Sequence, residues 1–167
     1  VKICGVVGFP LGAMSSESKL FEAQSALSDG ADEIDMVMNI GLLKSHDYDA
    51  FAEDIRAIKK IMPNKVLKVI LETCYLDDDE IIKASSIAIE CGADFIKTST
   101  GFGTEGATVK NIRLMKYAAH KSNTKLKASG GIRNYNIAKE FIDLGVDRLG
   151  LSSSIAIVDG STGTSDY

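Results

Sequence analysis

Short apolar runs alternate with longer segments of helical period from one end of the chain to the other. Residues 2–8 (KICGVVG), 33–38 (EIDMVM), 65–72 (KVLKVILE), 94–98 (DFIKT), 124–129 (TKLKAS) and 147–152 (DRLGLS) read as strands. A helix starts near Ser16, with Leu20, Ala23 and Leu27 on one face. Asp47 opens a second, with Phe51, Ile55, Ile58 and Met62 inward and Pro63 as its stop. Asp77 and Glu80 have the spacing of an N-cap and its N3 partner, and open a helix that runs to Cys91. Thr108 caps a helix to about Ser122, a further helix runs from Asn134 to Leu144, and a short one covers Ser154–Val158. The remainder, 159–167, has no apolar period and is expected to be a flexible tail behind a single domain over 1–158.

A weak repeat supports this order. Gly30-Ala31-Asp32, Gly92-Ala93-Asp94 and Gly145-Val146-Asp147 each stand between a helix and the next strand, where glycine ends the helix in a left-handed turn. Six strands alternating with helices make a parallel sheet, either part of a barrel or doubly wound. A (β/α)8 barrel needs eight such units and about 250 residues. This chain has 167 and begins at Val1, inside a strand.

Composition narrows the partners. The chain is 45% hydrophobic with a net charge of −4 and no basic run. That argues against nucleic acid or an anionic membrane as a partner. No apolar stretch approaches the roughly 20 residues of a membrane span. Cys4, Cys74 and Cys91 are odd in number, scattered and without metal-type spacing, which points to a reducing, cytoplasmic setting.

The candidate chemistry lies in the strands. Leu67-Lys68-Val69, Ile96-Lys97-Thr98 and Leu126-Lys127-Ala128 each set a lysine at the same place, where Ile34-Asp35-Met36 sets an acid. Lysine is almost never fully buried without a partner. A buried amine near a second amine loses proton affinity and can then attack a carbonyl. Lys97 is the best nucleophile, Lys127 would depress its pKa, and Asp35 is an acid/base partner or a structural counter-charge. Lys68 and Glu72, on one strand face by the period of two, read as supporting charges.

Parallel folds gather functional groups at the C-terminal ends of strands. Those ends carry Thr98-Ser99-Thr100-Gly101, Ser129-Gly130-Gly131 and Ser152-Ser153-Ser154. Loops after the last two strands, with a short helix behind, suit a phosphate, although Gly130-Gly131 also reads as a tight turn. Residues 101–106 (GFGTEG) spell G-x-G-x-x-G, but the helix is expected only from Thr108, and no acid ends the next strand to hold a ribose. A nicotinamide or flavin site is therefore the weaker reading. His46 and His120 read as solvent-facing, and Cys4 as a small core residue.

Taken in order, these segments resemble the deoxyribose-phosphate aldolases, which are class I aldolases. The resemblance runs from Val6-Val7-Gly8-Phe9-Pro10-Leu11-Gly12 to Ser152-Ser153. It passes through Gly30 to Val37, Lys68 to Thr73, Phe95 to Phe102 and Lys127 to Arg133. It implies a (β/α)8 TIM-barrel type of fold with about six of the eight β/α units in this chain. It also implies reversible cleavage of 2-deoxy-D-ribose 5-phosphate to glyceraldehyde 3-phosphate and acetaldehyde, with no metal or organic cofactor. By the likeness, Lys97 forms the Schiff base and Asp35 and Lys127 relay protons. Thr100, Gly101, Gly130, Gly131, Ser152 and Ser153 line the site and hold the phosphate, and Tyr167 is a C-terminal proton shuttle or simply a loose end. The family's first two β/α units find no match here. The expectation is therefore two exposed sheet edges, marginal stability and reduced activity for this chain alone. Another Schiff-base aldolase or an inactive sugar-phosphate binder are the other readings, and a homodimer is left open.

Overall fold

The structure is a computed structural model that describes residues 1–160. Its six strands are β1 (Cys4–Val7), β2 (Glu33–Val37), β3 (Val66–Ile70), β4 (Phe95–Lys97), β5 (Lys125–Ser129) and β6 (Arg148–Gly150). They form one sheet in the order β1-β2-β3-β4-β5-β6, with every pair parallel. A doubly wound sheet would reverse its strand order at a switch point. The sequential order here belongs to a barrel wall. The wall is curved: Arg148 on β6 donates to Glu33 on β2 at 2.6 Å. In a flat sheet those strands would stand about 19 Å apart. The result is a half-barrel whose last strands are β1 and β6.

The helices are α1 (Ser16–Ser28), α2 (Ile40–Lys44), α3 (Tyr48–Ile61), α4 (Asp78–Glu90), α5 (Val109–Ala119), α6 (Tyr135–Asp143) and α7 (Ser154–Val158). The expected caps form. Asp47, Thr108 and Asn134 accept from the backbone of the first turns they open, and Asp77 with Glu80 closes a full capping box. Two short elements escaped the periodicity, α2 and a 3-10 turn at Thr73–Tyr75, because each is too short to show a period. The helix expected to reach Ser122 ends at Ala119.

The two sheet faces differ in kind. Ile34, Met36, Leu67, Val69, Ile96, Leu126 and Ala128 point outward and are buried in the helix layer. Glu33, Asp35, Lys68, Lys97 and Lys127 alternate with them and point into the hollow of the half-barrel, as the period of two requires. The same alternation corrects one expectation. Cys4 is exposed, on the hollow side, because it pairs in register with Glu33. Val6 on that face is 51% exposed. Residues 161–167, and with them Tyr167, lie outside the described residues.

The repeated Gly-x-Asp has a clear physical role. Asp32 accepts from the Ile3 N–H at 2.9 Å while its own N–H donates to the Ile3 carbonyl at 2.8 Å. Asp94 makes the same reciprocal pair with Leu67, at 2.8 and 2.9 Å. Asp147 makes it with Leu126, at 2.9 and 3.1 Å. Each staple joins the start of one strand to the start of the next, and the glycine before it takes the positive φ that turns the chain out of the helix.

Behind the sheet, α1 and α3 are joined by an ion pair with no access to water. Lys19 is 0% exposed and its ammonium lies 2.6 Å from Asp54, which is 2% exposed. Removing one partner of such a pair leaves a buried charge unanswered, at a cost of about 3–5 kcal/mol, whereas an apolar pair of similar volume is often neutral or better. Asp54→Ala is therefore expected to lower the urea midpoint sharply, and Lys19→Met with Asp54→Leu to recover most of the loss. Equal destabilisation by the single and the double variant would show that the pair is not what matters there.

Candidate active site

The Asp35 carboxylate lies at the centre of the hollow. Its Oδ1 is 2.8 Å from Lys68 Nζ, and its Oδ2 is 2.8 Å from Lys97 Nζ and 2.9 Å from Lys127 Nζ. Glu33, two residues earlier on the same face, lies 2.5 Å from Lys68 and 2.6 Å from Arg148. The three strand lysines therefore do converge, but not at one level. Asp35 pairs with Lys68 in register, Lys97 pairs with Lys127, and Lys97 stands opposite Ile70, two residues beyond Lys68. The stagger keeps all three on one face and seats Lys68 a layer deeper, where it bridges both acids. Glu72, expected beside Lys68 on its strand, lies past the end of β3 with a left-handed backbone (φ 53°) and binds Thr100 instead.

Two carboxylates thus face three lysines and an arginine, so one proton can be given up without stranding a charge. Lys97 is the group whose proton affinity falls. Burial is the main cause and the charge of Lys127 adds to it, against the pull of Asp35. Burial alone would raise the Asp35 carboxyl, but Lys97 and Lys127 outweigh it and hold the acid well below the usual carboxylate range. Lys68 shifts the opposite way to Lys97: burial works against its proton, but hydrogen bonds to Asp35 and Glu33 raise its pKa. Cys4 donates to Asp35 Oδ1 at 3.2 Å, and desolvation together with that carboxylate raises its pKa, so it stays a thiol.

Lys97 also opens onto a cleft of about 230 Å³ at the C-terminal ends of β4, β5 and β6. Thr100, Gly101, Gly130, Gly131 and Ser152 line it with Lys97, as do Ser129, already placed at a strand end by the sequence, and Ile132, Gly150 and Leu151, which sequence reasoning missed. Asp35 and Lys127 are not in its wall and reach it through Lys97. Ser153 is the N-cap residue of α7. The loops that build the cleft are tied together. Thr98 Oγ1 donates to the Ser129 carbonyl and accepts the Ser129 N–H, both at 3.1 Å, and Ser129 Oγ donates to the Ser99 carbonyl at 2.6 Å. Gly106 lies so close to Gly130 that a Cβ there would stand 2.2 Å from the Gly130 carbonyl oxygen. Gly106 serves this loop packing and Gly103 packs against Glu72 and Cys74, and the helix behind them starts only at Val109.

Glu33 was legible in principle, since it lies two residues from Asp35, whereas only the β5–β6 register brings Arg148 beside Lys127. His46 and His120 are exposed, as expected. Among the described residues, no helix is long and apolar enough to cross a membrane.

The DeoC/LacD family aldolase profile matches residues 3–147. The chain belongs to this aldolase family. A deoxyribose-phosphate aldolase of Finegoldia magna is 56% identical over 158 residues, which is 95% of this chain and 74% of that protein. Among solved structures, an aldolase designated QR15 superposes with a TM-score of 0.91 at 48% identity, covering 95% of this chain and 72% of its own. A tetrameric deoxyribose phosphate aldolase from Aeropyrum pernix does so at 0.87 and 35%, covering 95% and 67%. The fold is thus the TIM-barrel type of this family, with six of its β/α units in the chain.

The opposing influences on Lys97 give a two-signed test. Lys127→Met removes a repelling charge, so the pH profile of imine formation at Lys97, read by borohydride trapping of acetaldehyde, is expected to move to higher pH. Asp35→Asn removes the attracting one, and the profile is expected to move to lower pH. Shifts in the same direction would refute this account of the cluster.

Proposed function

We propose that the chain catalyses the reversible aldol cleavage of 2-deoxy-D-ribose 5-phosphate to D-glyceraldehyde 3-phosphate and acetaldehyde through a Schiff base on Lys97. The observation that carries the proposal is a buried lysine with lowered proton affinity, opening onto a cleft of glycine and serine backbone, in a chain of the aldolase family. The relatives' names supply the substrate.

Lys97 Nζ adds to the aldehyde carbon of the open sugar, and loss of water leaves an iminium. Removal of the proton from the 3-hydroxyl breaks the C2–C3 bond, and its electron pair flows into the iminium to leave an enamine. Glyceraldehyde 3-phosphate departs. Protonation of the enamine carbon and hydrolysis then release acetaldehyde and the free amine. Asp35 and Lys127, which share one contact point beside Lys97, move the protons, with water as the carrier. Gly130, Gly131, Ser152 and Ser153 bind the phosphate, and Thr100 and Gly101 bound the site. Tyr167 is a candidate shuttle from the C-terminus. The partner is a small phosphorylated sugar and the setting the cytoplasm.

Borohydride reduction in the presence of deoxyribose 5-phosphate, read by peptide mass, is expected to place a stable adduct on Lys97. Lys97→Arg should give none, and Lys127→Met should lose about 10²- to 10⁴-fold in turnover. A folded chain that forms no adduct would overturn the proposal.

A further inference from the structure

Thr100 stands in the cleft wall with Lys97, and most of the bonding capacity of its hydroxyl is already used. Its O–H is turned to Glu72 Oε2. Its backbone N–H donates to the other carboxylate oxygen, Glu72 Oε1, at 3.1 Å. The Phe102 N–H donates to Thr100 Oγ1 at 3.0 Å. A hydroxyl has one proton and two lone pairs. With the proton on the carboxylate and one lone pair on Phe102, a single acceptor position remains.

Glu72 is built for this contact. It is 2% exposed and holds a left-handed backbone that side chains other than glycine seldom adopt. Both hydrogen bonds of its carboxylate among the described residues go to Thr100. Gly103 presses against it, since a Cβ there would stand 3.2 Å from Glu72 Cδ and 2.6 Å from Cys74 Sγ. Unusual backbone of this kind persists where the surroundings hold it and gathers at functional sites.

We infer that Glu72 is a positioning residue that fixes the polarity of the Thr100 hydroxyl, so that Thr100 can only accept a hydrogen bond and therefore selects a substrate hydroxyl. The inference rests on the sugar-phosphate reading above. As a carboxylate, Glu72 offers only acceptors, and the Thr100 proton has no reason to leave it. A glutamine would break this logic. Its carbonyl oxygen would have to take the Thr100 N–H, and its amide would then donate to Oγ1, turning the hydroxyl proton toward the cleft. The opposite amide orientation would set two donors against each other at the Thr100 N–H.

The test is a double-mutant cycle of Glu72→Gln and Thr100→Val in the full chain, with fold checked by circular dichroism and kcat/KM measured for deoxyribose 5-phosphate. Each single variant is expected to lose about tenfold, the loss of one hydrogen bond to substrate. The double variant is expected to lose no more than Thr100→Val alone, because Glu72 acts only through that hydroxyl. Losses that multiply, or a Glu72→Gln protein within twofold of wild type, would overturn the inference. If Glu72→Gln does not fold, Glu72→Asp, which withdraws the carboxylate from the hydroxyl, takes its place in the cycle. If the wild-type chain does not cleave deoxyribose 5-phosphate, the substrate reading falls by itself. The cycle is then read on the rate of borohydride adduct formation at Lys97 with glyceraldehyde 3-phosphate, a phosphorylated hydroxyaldehyde, and the same non-additivity is required.

Discussion

The carboxylate of Asp35 is what the hollow of the half-barrel is arranged around. Three ammonium groups from three successive strands meet on it. Without it, three cations would share a low-dielectric space and repel one another across a few ångströms. With it, the concave face of the sheet becomes a place where lysines can be buried at all. Curvature and charge support each other: the strands must bend for Lys127 to reach β2, and the ion pairs reward the bend. Glu33, one layer below Asp35 on β2, draws in Arg148 from β6 in the same way.

This arrangement also divides three chemically identical side chains into different roles. Lys68 bridges two acids, Asp35 and Glu33, and keeps its proton. Lys127 shares Asp35 from a half-buried position. Lys97 is buried, shares Asp35 with the other two lysines, and faces the cleft, so burial prevails over attraction. Proton affinity here is a property of position in the layers, and the identity of the residue is only the starting point.

Much of this could be read along the chain. The alternation of strands and helices, the caps at Asp47, Asp77, Thr108 and Asn134, and the face shared by Asp35 and the lysines all follow from local pattern, because period and capping are local physics. What stayed hidden depends on register and on loops. Lys68 and Lys97 look equivalent in sequence and differ by one layer in space, since the stagger between β3 and β4 is a tertiary property. Cys4 sits in an apolar run yet faces the hollow, because alternation does not say which side is which. Glu72 looks like the end of a strand, and only the turn after Ile70 carries it across to Thr100.

The Gly-x-Asp staples lie at the far end of the strands from the cleft, yet they bear on what happens there. By joining Ile3 to Asp32, Leu67 to Asp94 and Leu126 to Asp147, they fix where each strand begins against its neighbour. Side chains alternate strictly from face to face, so a slip of one residue in β4 would put Ile96 in the hollow and Lys97 among the helices. Chain length between staple and lysine is therefore under as tight a constraint as the lysine itself. In lineages of this fold, insertions and deletions should accumulate in the loops outside those short intervals, with the count from Asp94 to Lys97 held constant even where the residues between them change.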